Sequence, residues 1–414
     1  MRVLFLSTSM GMGGADQQLL SAALEMRSCG RDVFIVSLTP LGPMGLEARS
    51  LGIPTESLDM PRGIPDPRGL LRLVRIVRAW RPDVVHSHMV HANLMARALR
   101  LLAPVPALVS TIHNIYEGGP LLMSAYRLTN GLVDHMTIIS EAAAERFVRD
   151  RIVPRELLTV VPNGVNADAF RNVPAGARES LRQSLGLNGE FVWLAVGRFE
   201  TAKDYPNMLR GFAKVREQHP QAVLLLVGRG SLQEETEALA RALGLGHEVR
   251  FLGVRRDVPE LMSAADGYVM SSAWEGMPMV LLEAAAGGLP IVATAVGGNR
   301  EVVLDEETGF LAPPRDAEAL GSAMLRVMGL SDVERRSMGE RGRDHVRTHY
   351  GLAQVAKRWE DLYRAVLERK GVALAASVSP SPAGAQPAGV ESEAGPTGAS
   401  AFVSGAAAGG QRKT

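Results

Sequence analysis

Short apolar runs alternate with helix-length amphipathic segments along most of the chain. In the first half the runs lie at 3–7, 33–38, 84–88, 107–112, 136–139 and 158–161, with helical patterns between most of them, as at 17–27 and 70–80. Apolar runs this short and continuous read as strands buried on both faces. Strands separated by helices predict right-handed βαβ units and a parallel sheet. The rhythm breaks at Pro162-Asn163-Gly164-Val165 and in a loop-rich stretch through Ala175 and Gly176. It restarts at 191–196, 222–227, 249–252, 268–270 and 291–293. The pattern predicts an α/β protein of two doubly wound parallel-sheet domains, joined near residues 163–188. Ligands bind such sheets at the carboxyl ends of the strands, and two facing sheets create a cleft. Beyond Lys370 the pattern disappears: Ala, Gly, Ser and Pro supply 30 of the 44 residues in 371–414. That tail has too little apolar surface to offset its ordering entropy and is expected to be disordered.

Composition narrows this picture. Of 414 residues 46% are hydrophobic, enough for two large cores. The net charge of +1 argues against a dedicated nucleic-acid binder. That near-neutrality is an average: residues 1–166 carry 17 Arg and no Lys against 14 acids, while residues 60–100 carry eight Arg against two Asp. Arg68, Arg72, Arg75, Arg78 and Arg81 accompany Leu70, Leu71, Leu73, Val74, Ile76 and Val77. Such a helix either covers the sheet with snorkelling arginines or docks on an anionic membrane surface. The single cysteine, Cys29, excludes a disulfide framework and a cysteine-based zinc site. The uncharged stretch 284–299 is broken by Gly287, Gly288, Pro290, Gly297 and Gly298 and is too short to span a bilayer. The run after Met1-Arg2 is too short for a signal-peptide core. The expected location is the cytoplasm, with peripheral attachment to the inner membrane face as the further option.

Four segments carry candidate chemistry. The first strand ends in Ser9-Met10-Gly11-Met12-Gly13-Gly14-Ala15-Asp16, where glycine lets the backbone approach a ligand at a helix start. The spacing is not that of a dinucleotide fingerprint, and a tight turn is the alternative. After a later strand come Gly197-Arg198 and then Lys203, a planar fork and a flexible point charge of the kind a diphosphate leaving group needs. In Glu275-Gly-Met-Pro-Met-Val-Leu-Leu-Glu283 seven residues separate two carboxylates. Pro278 suits a first helical turn, so Glu275 would precede a helix and face the cleft. Glu283 would lie inside that helix among apolar neighbours, where a carboxylate needs a partner. Carboxylates accept from sugar or ribose hydroxyls, and the amides around Met279 and Val280 suit a phosphate. His86, His88 and His91 lack a fourth ligand for a metal. His113, at another strand end, is the better candidate to touch a substrate. No Asp-x-Asp pair, phosphate loop or nucleophile elbow is present.

Together these segments resemble the family 4 glycosyltransferases over residues 1 to about 370. The resemblance rests on Gly13-Gly14-Ala15-Asp16, Pro82-Asp-Val-Val-His-Ser-His88, Ile139-Ser-Glu141, Val161-Pro-Asn-Gly-Val165, Gly197-Arg198 with Lys203, and the segment from Asp257 to Asp266. It also includes the Glu-x7-Glu pair and Gly287-Gly-Leu-Pro-Ile-Val-Ala-Thr294. It implies the GT-B fold, with an acceptor-side domain at 1–165 completed by a helix at 350–370 and a donor domain at 166–349. It further implies transfer of a sugar, with retention, from a nucleotide-diphosphate donor, without a cofactor and with no metal required. By family pattern Arg198 and Lys203 match diphosphate ligands, Glu275 the donor-sugar ligand, Glu283 the ribose ligand, and His113 a histidine near the donor sugar. Gly14, Gly276, Met277, Met279 and Val280 match the donor-binding backbone. Asp16 replaces the usual Glu, and Pro278 removes one backbone donor toward the sugar. The expected acceptor is a lipid-linked intermediate of cell-surface polysaccharide or glycolipid synthesis. The alternatives are a soluble small-molecule acceptor, or a silent GT-B protein that binds a nucleotide or partner.

Overall fold

The computed structural model describes residues 1–372 except 62, 64, 65 and 172. The expected disordered tail therefore lies outside the described residues, apart from Gly371 and Val372. Two wholly parallel sheets organise the chain. The first contains β1 (Arg2–Ser7), β2 (Asp32–Ser37), β3 (Thr55–Ser57), β4 (Val84–His88), β5 (Ala107–Ile112), β6 (His135–Ile138) and β7 (Leu158–Val160), in the order β3-β2-β1-β4-β5-β6-β7. The second contains β8 (Val192–Val196), β9 (Val223–Val227), β10 (Val249–Phe251), β11 (Gly267–Met270), β12 (Ile291–Thr294) and β13 (Gly309–Ala312), in the order β10-β9-β8-β11-β12-β13. Strand order reverses between β1 and β4 in one sheet and between β8 and β11 in the other. Those reversals are the crevices where doubly wound sheets bind ligands. This is the GT-B architecture.

The apolar runs became strands because helices cover both faces: Val3, Leu4, Phe5 and Leu6 are all fully buried. Two strands lie outside the predicted runs. Thr55-Glu56-Ser57 is a short, polar edge strand with no apolar run. β13 opens with Gly309, where a Cβ would lie 2.1 Å from the Ile291 carbonyl oxygen, so close strand packing demands glycine there.

The stretch read as a loop-rich joint holds two helices, Ala167–Arg171 and Ala177–Ser184. The second packs on the helix Val258–Ala264 and is tied down by Arg178 and Arg182, which bond Asp266 at 2.6 and 3.2 Å. Polar anchoring of this kind leaves little hydrophobic periodicity to read. The helix Leu352–Arg369 packs against the helix Gly14–Ser28 and β5, burying Trp359 and Tyr363. The arginine-rich helix spans Pro67–Trp80. It buries Leu73, Val74 and Val77 and exposes its arginines together with Leu71. No helix among the described residues is long and apolar enough to cross a membrane.

Candidate active site

At the carboxyl edge of the second sheet, β8 ends at Val196 and the chain passes through Gly197 and Arg198 to a short 3-10 turn, Thr201–Lys203. The neighbouring β11 ends at Met270 and runs on to Glu275. Lys203 Nζ reaches Glu275 Oε1 at 2.5 Å, and Ser272 Oγ donates to the same oxygen at 2.7 Å. The Ser271 hydroxyl sits 2.8 Å from the carbonyl oxygens of both Lys203 and Asp204, tying the two loops together. Both members of the ion pair are largely buried, so their geometry is held in advance of any ligand. Arg198 is different. Its side chain is 68% exposed and, among the described residues, forms an ion pair only with Glu200, at 3.1 Å, leaving most of its donors open.

The Glu275 backbone is supported from the loop after β12. Gly297 has φ +48°, and a Cβ there would lie 1.9 Å from the Glu275 carbonyl oxygen. The Gly298 amide donates to the Gly276 carbonyl at 2.7 Å. Gly276 in turn presses on the first lobe, where a Cβ would lie 2.8 Å from the His113 carbonyl oxygen. Only glycine permits both approaches.

The following helix is Met279–Ala286, and Pro278 caps it from outside rather than lying in its first turn. With ψ 127° Pro278 is extended, and its carbonyl accepts the Leu281 amide at 3.1 Å. Met279 and Val280 therefore begin the helix, with amides that have no intrahelical acceptor. Glu283 is 5% exposed and does have the partner its surroundings require: Gln17 Nε2, from the first lobe, donates to its Oε1 at 2.8 Å. Burial pushes the Glu283 carboxyl up to about 7, and the Gln17 hydrogen bond offsets part of that rise. Gly14 faces the same helix, where a Cβ would meet Met279 Cγ at 3.3 Å. The Met277 carbonyl accepts from Asn163 Nδ2 at 2.8 Å. Asp16 closes the glycine loop, accepting from the Gly13 amide at 3.0 Å and Ser9 Oγ at 3.3 Å.

Across the cleft, His113 follows β5 and shares a 2.8 Å hydrogen bond between its Nε2 and His88 Nδ1. His86 bonds Tyr363 and Thr111, each at 2.6 Å. Burial lowers all three imidazoles, His113 to about 4, so they are neutral near pH 7. His91 lies in the helix Val90–Arg100 and is exposed. Glu117, buried and pushed up to about 7, accepts the His113 amide at 2.7 Å and the Tyr126 hydroxyl at 3.1 Å. It anchors the loop that carries His113.

The fold thus joins Lys203 with Glu275, Gly14 with Met279, and His113 with Gly276; Arg198 stands apart from the central pair. Sequence reasoning missed Ser272, Gln17, the His88 partner of His113 and the Gly297-Gly298 support. The glycine pair three residues past a strand end was the one readable signal. The others depend on contacts between distant segments.

Two family models match the chain in succession. "Glycosyltransferase Family 4" covers residues 12–169 and "Glycosyl transferases group 1" covers residues 177–345. The chain is 27% identical over 318 residues to the UDP-Gal:alpha-D-GlcNAc-diphosphoundecaprenol alpha-1,3-galactosyltransferase of Escherichia coli, covering 72% of this chain and 80% of that protein. It is 29% identical to the D-inositol 3-phosphate glycosyltransferase of Corynebacterium aurimucosum, over 68% and 71% of the two chains. Among solved structures, Anabaena Alr3699/HepE in complex with UDP matches with a TM-score of 0.78 at 22% identity, covering 88% of this chain and all (100%) of that one.

Proposed function

Given that the chain belongs to the family 4 glycosyltransferases, we propose that it moves a sugar, with retention of configuration, from a nucleotide-diphosphate donor to a lipid-linked acceptor in cell-surface polysaccharide or glycolipid synthesis. The observation that carries this reading is the Lys203–Glu275–Ser272 cluster, with Arg198 on the same loop as Lys203, at the crevice where the second sheet reverses. Residues 166–349 hold the donor, and residues 1–165 with the helix at 350–370 hold the acceptor. Lys203 carries three donors, so it can keep Glu275 in place and still meet a diphosphate oxygen. Arg198 supplies the second cation, and the Met279 and Val280 amides add the partial positive charge of a helix start. Gly14 lets the first lobe's backbone approach the same phosphates.

Glu275 accepts from a donor-sugar hydroxyl, and Glu283 accepts from the ribose. Gly276, Met277 and His113 line the sugar's surroundings. The bond from the sugar's anomeric carbon to phosphate oxygen breaks, and the acceptor oxygen bonds to that carbon on the same face. The acceptor's proton passes to the departing phosphate oxygen. Negative charge grows on the diphosphate in this step, so Lys203 and Arg198 stabilise the transition state more than the bound substrate. On this account the two cations take the place of a metal, and transfer persists in chelator.

The lipid half of the proposal draws support from the E. coli relative's diphosphoundecaprenol acceptor and from the exposed arginines beside Leu71. Anionic headgroups attract such a face. Liposome flotation should show wild type bound and Arg72→Glu/Arg75→Glu released; equal binding of both removes membrane docking. The deciding experiment is a screen of nucleotide sugars, scoring nucleotide release with and without lipid acceptors. Release stimulated by a lipid-linked acceptor fits the proposal. Release stimulated only by soluble sugars or acids moves the protein to the second reading, for which the inositol phosphate relative is the precedent.

A further inference from the structure

The Gln17–Glu283 hydrogen bond joins two lobes through residues 266 positions apart, and it engages a carboxylate that the proposed function needs for another purpose. Gln17 lies on the exposed face of the helix Gly14–Ser28, whereas Glu283 is buried in the opposing helix. The contact is therefore made by a long polar side chain reaching out of one lobe into the other. An ionised carboxylate is an acceptor only, and a vicinal diol such as that of ribose engages both of its oxygens. Oε1 already accepts from an amide donor. The Gln17 amide presents to Glu283 the same chemistry, a neutral donor at 2.8 Å, that a sugar hydroxyl presents.

We infer that Gln17 is a latch on the donor site: it holds Glu283 while the cleft is empty, and an entering nucleotide's ribose hydroxyls displace it. The inference rests on the reading of Glu283 as a ribose ligand. Donor entry then exchanges one lobe-to-lobe hydrogen bond for a ligand hydrogen bond. That exchange links occupancy of the second lobe to release of the first lobe's leading helix. Gln17 acts through Glu283 and is a positioning residue rather than a catalytic one. Other contacts between the lobes, such as Asn163 to the Met277 carbonyl, do not involve the Glu283 carboxylate and stay in place during the exchange.

The test is calorimetric titration of wild type, Gln17→Leu and Glu283→Ala with UDP, GDP and ADP, followed with whichever diphosphate wild type binds best. Leucine keeps the bulk of Gln17 on an exposed helical face and removes only the donor. Gln17→Leu should bind the nucleotide more tightly, on the order of 10-fold, because no bond to a charged group is given up on entry. Unchanged or weaker binding overturns the latch. Glu283→Ala separates the two ideas. If it binds as wild type does, the ribose assignment itself is wrong; if it loses at least ~10-fold while Gln17→Leu is unaltered, only the latch is wrong. A second measurement reads the latch directly. The Gln17 side-chain amide protons, identified by their absence in Gln17→Leu, should exchange with solvent faster once the nucleotide is bound. Equal exchange rates in the empty and loaded protein overturn the inference.

Discussion

Where strand order reverses, the first sheet holds three imidazoles in mutual contact and the second holds a lysine, a glutamate and an open arginine. The two sheets share one topology and bury their strands in the same way. Their crevices nevertheless differ in kind. His86, His88 and His113 are all held below the usual histidine range by burial, so these three side chains contribute hydrogen bonds and no charge at pH 7. In the second, Lys203 and Glu275 are fixed against Ser272, and Arg198 is left with donors to spare. The fold positions a crevice, and the side chains at the strand ends decide what it can bind.

The sharpest way to break this contrast is to remove charge from the second crevice. Lys203→Ala and Glu275→Ala are each expected to lower transfer at least ~100-fold, as loss of a preorganised electrostatic contact does. Steady-state nucleotide release with the best donor measures this, and near-normal turnover in both variants would sink the site assignment. The matching change in the first crevice should act on stability instead. His86→Phe leaves the Tyr363 hydroxyl without its 2.6 Å partner, while Thr111 Oγ1 keeps Thr137 Oγ1, and one buried polar group left unsatisfied costs roughly 1–3 kcal/mol. Denaturant unfolding reads that loss. Nucleotide release below the transition should stay within about threefold of wild type, since His86 adds no charge to the transition state. A large fall in turnover without a loss of stability would mean that the first crevice takes part in the chemistry.

The same contrast explains what the sequence could and could not reveal. Strands such as β1 and β4, covered by helices on both faces, announce themselves as apolar runs. β3 is a polar triplet at a sheet edge and has no run to read, whereas β13 carries the short run Phe310-Leu311-Ala312 between Gly309 and Pro313-Pro314, which the predicted strands did not include. Lys203 and Glu275 were legible because each follows a strand at a recognisable spacing. Glu283 was legible as a carboxylate in need of a partner, but Gln17 was not legible as that partner. Nothing local to Gln17 distinguishes it from any polar residue on an exposed helix face. The His88–His113 bond joins the ends of adjacent strands β4 and β5, and it depends on strand order, which local pattern does not specify.

The smallest effect separates the lobes by their buried carboxylates, Glu117 in the first and Glu283 in the second. Burial raises both to about 7, well above the unfolded value near 4.5. A group whose folded value is raised holds its proton more tightly in the folded state. Its contribution to stability is therefore fully present below about pH 4.5 and is lost as pH rises through about 7. Each carboxylate should remove about 1 kcal/mol of stability between roughly pH 6 and pH 8, and each Glu→Gln variant should flatten the profile by its own share. Nucleotide then tells them apart. Glu117 already accepts from the His113 amide and the Tyr126 hydroxyl, both of its own lobe, so its share should not change on loading. Glu283 would exchange its single amide partner for two ribose hydroxyls, which favour the ionised form and lower its folded value toward the unfolded one. Loading with nucleotide should therefore remove the Glu283 share of the slope and leave the Glu117 share intact. If thermal unfolding across this pH range shows both shares surviving, Glu283 does not meet the donor, and the contrast between the crevices must rest on Lys203, Glu275 and Arg198 alone.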